Sequence, residues 1–157
     1  MRKIVVVLLL PFLFACSSID CPLNSVAAVY SLGGKVSSLG NTDTLTVWAI
    51  LNNGKDTVLN RQTSASTFTL PMSYDHDTDA LVFCYTDTIG SMFLDTLYVS
   101  KTNEPHFESV DCSPTYFHQL TTLRCTHHML DSVSIARPTV NYDTTKTNIY
   151  LYFHSGD

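Results

Sequence analysis

Apolar and polar residues alternate in short runs along most of the chain. Leu45, Val47, Ala49 and Leu51 alternate with Thr44, Thr46, Trp48 and Ile50, the two-residue period of a strand with one buried face. Asn52-Asn53-Gly54-Lys55 follows, and its Asn-Gly pair suits a type I′ turn, whose two central residues need positive φ. Residues 56–60 return, so a hairpin is predicted over 44–60. Further strands are predicted at 25–32, 66–70, 80–86, 92–100, 117–126, 129–136 and 148–153. Gly33-Gly34, Pro71, Asn103-Glu104-Pro105 and Arg137-Pro138 supply breaks between them. In the last strand Ile149, Leu151 and Phe153 are expected inward, with Tyr150 and Tyr152 on the other face. Phe117, Leu120 and Leu123 have helical spacing, but the Thr content around them and the lack of a cap favour a strand. The pattern predicts an all-β chain, an immunoglobulin-like β-sandwich of seven to nine short antiparallel strands.

Composition agrees. Ser and Thr account for 36 of 157 residues, and twelve of the fourteen acidic side chains are Asp rather than Glu; helices favour Glu, Lys and Ala, and pleated surfaces favour Thr, Val and aromatics. The length suits one domain. A net charge of −5 argues against nucleic-acid binding, which needs Lys and Arg in quantity.

The amino terminus has a separate character. Arg2 and Lys3 precede an apolar run of eleven residues, Ile4 to Phe14, too short to cross a bilayer and interrupted by Pro11, so residues 1–15 read as a secretory signal peptide. Leu13-Phe14-Ala15-Cys16 resembles the lipobox of bacterial lipoproteins. The resemblance implies cleavage before Cys16, a diacylglycerol thioether on its sulfur and acylation of the new amine. Residues 16–20 then form a lipidated tether, and 21–157 the single β-sandwich domain. Ser17 stands where inner-membrane retention would carry Asp, which by resemblance to enteric sorting favours the outer membrane, with the domain facing the periplasm. Loss of Arg2 and Lys3 leaves seven basic against fourteen acidic side chains, a net charge of −7.

Four further cysteines in an oxidising compartment read first as disulfides. Cys21 and Cys112 sit in similar turn contexts, Asp20-Cys21-Pro22 and Asp111-Cys112-Ser113-Pro114, and are the expected pair. Cys84 lies in an apolar run where a free thiol packs as a small hydrophobe, and Cys125 in a strand-like segment; an 84–125 bridge is the weaker candidate.

Candidate chemistry is sparse. Asp75, Asp77 and Asp79 alternate as in a calcium loop, but Ala80 and Thr86 occupy the positions that need Gly and Glu. A polar turn is the better account, with another cation site as the alternative. His127-His128 would point to opposite faces of a strand; Cys125 with His127, and His118 with His128, share a face but lack further ligands. Asp75, Asp77, Asp79 and His127 are thus weak metal candidates, and no cofactor is expected. No Gly-x-Ser-x-Gly elbow is present, and no catalytic residue is singled out. Trp48, Tyr150 and Tyr152 are candidates for an aromatic platform that takes a sugar or peptide. Asp followed by Ser or Thr and then, in most cases, an apolar residue recurs at Thr44, Thr57, Thr88, Thr96, Ser132 and Thr144. Structurally, Asp ends a turn and Thr opens a strand; the recurrence also resembles an O-glycosylation acceptor motif of some Gram-negative envelopes.

The lipobox, Asp20-Cys21-Pro22-Leu23-Asn24, Pro105-His106-Phe107, Asp111-Cys112, Thr126-His127-His128, Leu130-Asp131-Ser132-Val133 and the closing Asn148 to Phe153 together resemble an uncharacterised family of small Gram-negative envelope lipoproteins. The resemblance implies export, lipidation and a β-domain, and no activity. The expected function is a membrane-anchored, non-enzymatic binding or structural module whose partner is an envelope protein or glycan, without nucleic acid. The alternative is a metal-dependent hydrolase using His118, His127 or the 75–79 loop.

Overall fold

The structure, a computed structural model, describes residues 21, 26–34 and 36–154. The expected signal peptide, the lipidated Cys16 and the tether lie outside the described residues. Among those described there is no helix, and ten strands form: β1 (Ala27–Gly33), β2 (Thr44–Leu51), β3 (Gly54–Gln62), β4 (Thr67–Pro71), β5 (Thr78–Thr86), β6 (Met92–His106), β7 (Thr115–Cys125), β8 (Leu130–Ile135), β9 (Thr139–Val140) and β10 (Ile149–Phe153).

They build two sheets. Sheet A has the order β3-β2-β5-β6-β7-β9, and sheet B the order β4-β1-β10-β8. All pairings are antiparallel except β1 with β10, which run parallel. Alternation decides what faces inward. Leu45, Val47, Leu81, Phe83, Leu97, Val99 and Leu120 of sheet A meet Ala28, Tyr30, Phe68, Leu70, Leu130, Ile149 and Leu151 of sheet B in one buried cluster. Tyr30 approaches Phe83 across the interface at 6.3 Å between ring centroids, and stacks on Phe68 within its own sheet at 5.7 Å. This is the β-sandwich that the sequence pattern predicts, corrected to ten strands from seven to nine and to one parallel pair among antiparallel ones.

Three local expectations are corrected. The hairpin stands at 44–62, but its two turn residues are Asn52 and Asn53, neither with positive φ; Gly54 opens the returning strand at φ +139°, a conformation that favours glycine. Asn103-Glu104-Pro105 is no turn. β6 continues through it, because those residues pair with His118, Phe117 and Tyr116 of β7 beyond a bulge at Ser100/Lys101. The two-residue β9 was not foreseen; it forms because His118 and Gln119 of β7 pair with Val140 and Thr139.

Candidate functional site

The outer face of sheet A is the least ordinary surface of the molecule. Row by row across β2, β5 and β6 it presents Ile50, Ala80 and Tyr98; then Trp48, Val82 and Thr96; then Thr46, Cys84 and Leu94. Solvent-facing positions of a sheet are usually polar. Here Leu94 is 49% and Tyr98 40% exposed. Two cations flank the patch, Lys55 with its Nζ 4.1 Å from the Trp48 ring centroid and Arg124 at 5.9 Å from the Tyr98 ring. Despite the acidic chain, these three rows carry no carboxylate; the acid in phase with this face is Glu104, six residues beyond Tyr98 on β6. At one margin Ile50 and Ala80 also line an open cleft of about 190 Å³, with Leu51, Val58 and Met72 as apolar walls and Asp56, His76 and Asp79 in its polar part.

The expected platform of Trp48 with Tyr150 and Tyr152 does not assemble. Tyr150 and Tyr152 lie 6.2 Å apart on the outer face of sheet B, opposite in phase to the buried Ile149, Leu151 and Phe153. Trp48 lies on sheet A and has Tyr98 as a companion on that face instead. Tyr98 was legible as an outward position of an alternating run; that its strand neighbours would be apolar on the same face was not.

The loop carrying Asp75, Asp77 and Asp79 is fastened by β6. Lys101, fully buried, donates from Nζ to the His76 carbonyl at 2.7 Å and to Asp79 Oδ1 at 2.9 Å. Asn103 Nδ2 donates to the carbonyls of Tyr74 and His76, and its Oδ1 lies 2.8 Å from His118 Nδ1. Because the Asn103 amide nitrogen is already donating, Nδ1 of His118 carries the proton, and its buried Nε2 has no partner. Burial, with Lys101 nearby, pushes the His118 pKa down to about 4. Burial raises Asp79 above the usual carboxylate range, against the opposing pull of Lys101. The metal candidates are therefore corrected: Asp79 is occupied by Lys101, His127 belongs to a different loop, and among the described residues no three His, Cys, Asp or Glu side chains converge to hold an ion.

His127 and His128 lie in the β7–β8 loop, not in a strand as their expected opposition required. That loop is organised by Asp95, which faces inward from β6. Its carboxylate accepts hydrogen bonds from the backbone N–H groups of His128 (2.8 Å), Met129 (2.6 Å) and Leu130 (2.8 Å) and from the Thr126 hydroxyl (2.6 Å). Burial alone would raise its pKa; these donors outweigh burial and hold it below the usual range. His127 Nδ1 sits 3.2 Å from the Leu130 carbonyl and 3.9 Å from Cys125 Sγ. Burial, followed by Asp95 and Asp131, raises the Cys125 thiol, so it stays protonated at neutral pH.

Cys21 and Cys112 are joined in a disulfide. The weaker 84–125 pairing is overturned, since both thiols are free. Cys84 is opposite Leu94 of β6 and Cys125 opposite Leu97, so a whole strand separates them and they face opposite sides of the sheet, beyond the reach of a disulfide. Of the Asp-Ser/Thr sites, Thr44 is buried, Thr96 half-buried, and Thr57, Thr88, Ser132 and Thr144 exposed. Asp87 accepts from the Ile89 and Ser91 amides, and Asp143 from the Thr145 amide, so these carboxylates shape their turns.

Residues 44–153, from β2 to the end of β10, match the model of a family described as a family of unknown function, DUF6452. No curated protein and no solved structure matches the chain.

Proposed function

The chain belongs to the DUF6452 family of unknown function, and we propose that it is a lipid-anchored, non-enzymatic binding module of the cell envelope that takes a partner protein on the outer face of sheet A. Export and acylation at Cys16 are supported by the basic start, the eleven-residue apolar run and Leu13-Phe14-Ala15-Cys16. Ser17 supports the outer membrane and a periplasm-facing domain.

The observation that carries the binding reading is the acid-free apolar patch of Trp48, Ile50, Leu94 and Tyr98 on a strongly acidic chain. Protein interfaces are enriched in Trp, Tyr, Met and Arg and depleted of acids at their centres. The apolar cleft beside Ile50 offers a place for an inserted side chain. A protein fits better than a glycan, because Lys55 already occupies a face of the Trp48 ring on which a sugar would stack.

A photo-crosslinking amino acid at Leu94 in the full chain, in its native envelope, tests the reading. A discrete protein adduct that is lost in Trp48→Ala/Tyr98→Ala, with none from the same group at Ser134 on sheet B, supports it. Equal labelling from both positions, or none from Leu94, overturns it. Radiolabelled palmitate incorporation that disappears in Cys16→Ser tests the anchor separately.

A further inference from the structure

We propose that the β6–β7 hairpin tip, residues 107–114, is the surface of the domain that rests on the bilayer, with Phe107 and Val110 entering the headgroup region. The inference depends on the acylation of Cys16 argued above. It rests on where the disulfide fastens the chain. Cys21 follows Cys16 by five residues, and a fully extended stretch of that length spans at most about 18 Å. Cys21 is bonded to Cys112 in the tip itself. The acylated residue is thereby held within that distance of the tip, whatever path the chain takes between.

The tip is built to meet something apolar. Phe107 is 66% and Val110 98% exposed, and no other side chain among the described residues covers Val110. Val110 stands at the apex of a turn closed by the Cys112 amide donating to the Ser109 carbonyl at 3.3 Å and the Asp111 amide donating to Ser109 Oγ at 3.3 Å. Its base is stiff: His106 stacks on Phe117 at 4.3 Å and lies 3.0 Å from Glu108. Two apolar side chains bind a membrane weakly, but a short leash raises their effective concentration at the surface, so little intrinsic affinity is needed. Residues 107–114 contain Glu108 and Asp111 and no Lys or Arg, which suits a zwitterionic phosphatidylethanolamine surface over an anionic one. In this orientation β6 and β7 rise from the membrane, and the outer face of sheet A looks sideways, open to the proposed partner.

The test uses the full-length acylated protein in phosphatidylethanolamine/phosphatidylcholine vesicles. Trp48 is the only tryptophan, so Trp48→Phe provides a silent background for Phe107→Trp, with Tyr150→Trp on sheet B as the control. Brominated acyl chains are expected to quench Phe107→Trp about twofold more than the control, because a ring in the headgroup region lies within their reach. Adding Cys21→Ser/Cys112→Ser should move that quenching towards the control. Intact mass of the same sample reads the anchor independently. Acylated protein with both reporters equally unquenched overturns the docking and leaves the anchor standing; protein without acyl groups removes the anchor and the docking with it. Shielding of Phe107→Trp in native envelopes but not in vesicles assigns the tip to a partner protein and also overturns the proposal.

Discussion

Asn148 and Val29 hold each other twice at the start of the parallel β1–β10 pair: the Val29 amide donates to Asn148 Oδ1 at 3.0 Å, and the Asn148 amide donates to the Val29 carbonyl at 2.8 Å. Asn148 Nδ2 then donates to the carbonyls of Arg137 and Thr139. One fully buried amide thus joins β1 and β10 of sheet B to the β8–β9 connection that enters sheet A.

Asn148→Ala strands one buried donor and two acceptors. Each unsatisfied group costs about 1–3 kcal/mol, and partial access of water to the Arg137 and Thr139 carbonyls lowers the sum. Urea unfolding is expected to show a loss of about 2–4 kcal/mol, with Asn148→Asp recovering little because it cannot donate.

Asp95→Ala removes the acceptor for three backbone amides of the β7–β8 loop. The expected loss is about 3 kcal/mol at neutral pH. The Asp95 pKa is depressed on folding, so its contribution is complete above the unfolded value of about 4 and disappears as pH falls through the folded one. Wild type and variant should therefore converge in stability towards strong acid.

His118 titrates in the opposite sense to a stabilising cation. Its pKa falls from 6.5 to about 4 on folding, so between those values the unfolded chain binds a proton that the folded chain refuses. Stability due to this group is present above pH 6.5 and is lost as pH drops towards 4, by up to about 3 kcal/mol. Unfolding curves at pH 7 and 4.5 should show a smaller acid penalty in His118→Gln, whose side-chain amide still donates towards Asn103. An unchanged penalty would show that His118 is protonated in the folded state.

Mass spectrometry with alkylation before and after reduction should find Cys84 and Cys125 as thiols and Cys21 linked to Cys112. With its ends 91 positions apart, the bridge restricts a long loop, and Cys112→Ser is expected to lose roughly 4 kcal/mol on the chain-entropy account. A peptide joining Cys84 to Cys125 would contradict the strand order of sheet A.

The sequence by itself determined the elements with strong alternation. Leu45, Val47 and Ala49, and Ile149, Leu151 and Phe153, point inward as their period requires, because backbone geometry alone sets the side of each side chain. The pairing of Cys21 with Cys112 was legible from their matching turn contexts. What tertiary structure decided was everything that depends on which strands become neighbours. Lys101 and Asp95 occupy inward phases of β6 that local pattern marks as errors; the His76 carbonyl and Asp79 carboxylate make the first tolerable, and the Thr126 hydroxyl with the amides of residues 128–130 the second. Trp48 acquired Tyr98 instead of Tyr150 because β2 and β10 entered different sheets, and Cys84 lost Cys125 because β6 lies between their strands. Periodicity is carried by bonds along the chain; strand order is settled by the burial and hydrogen bonding of residues far apart in it.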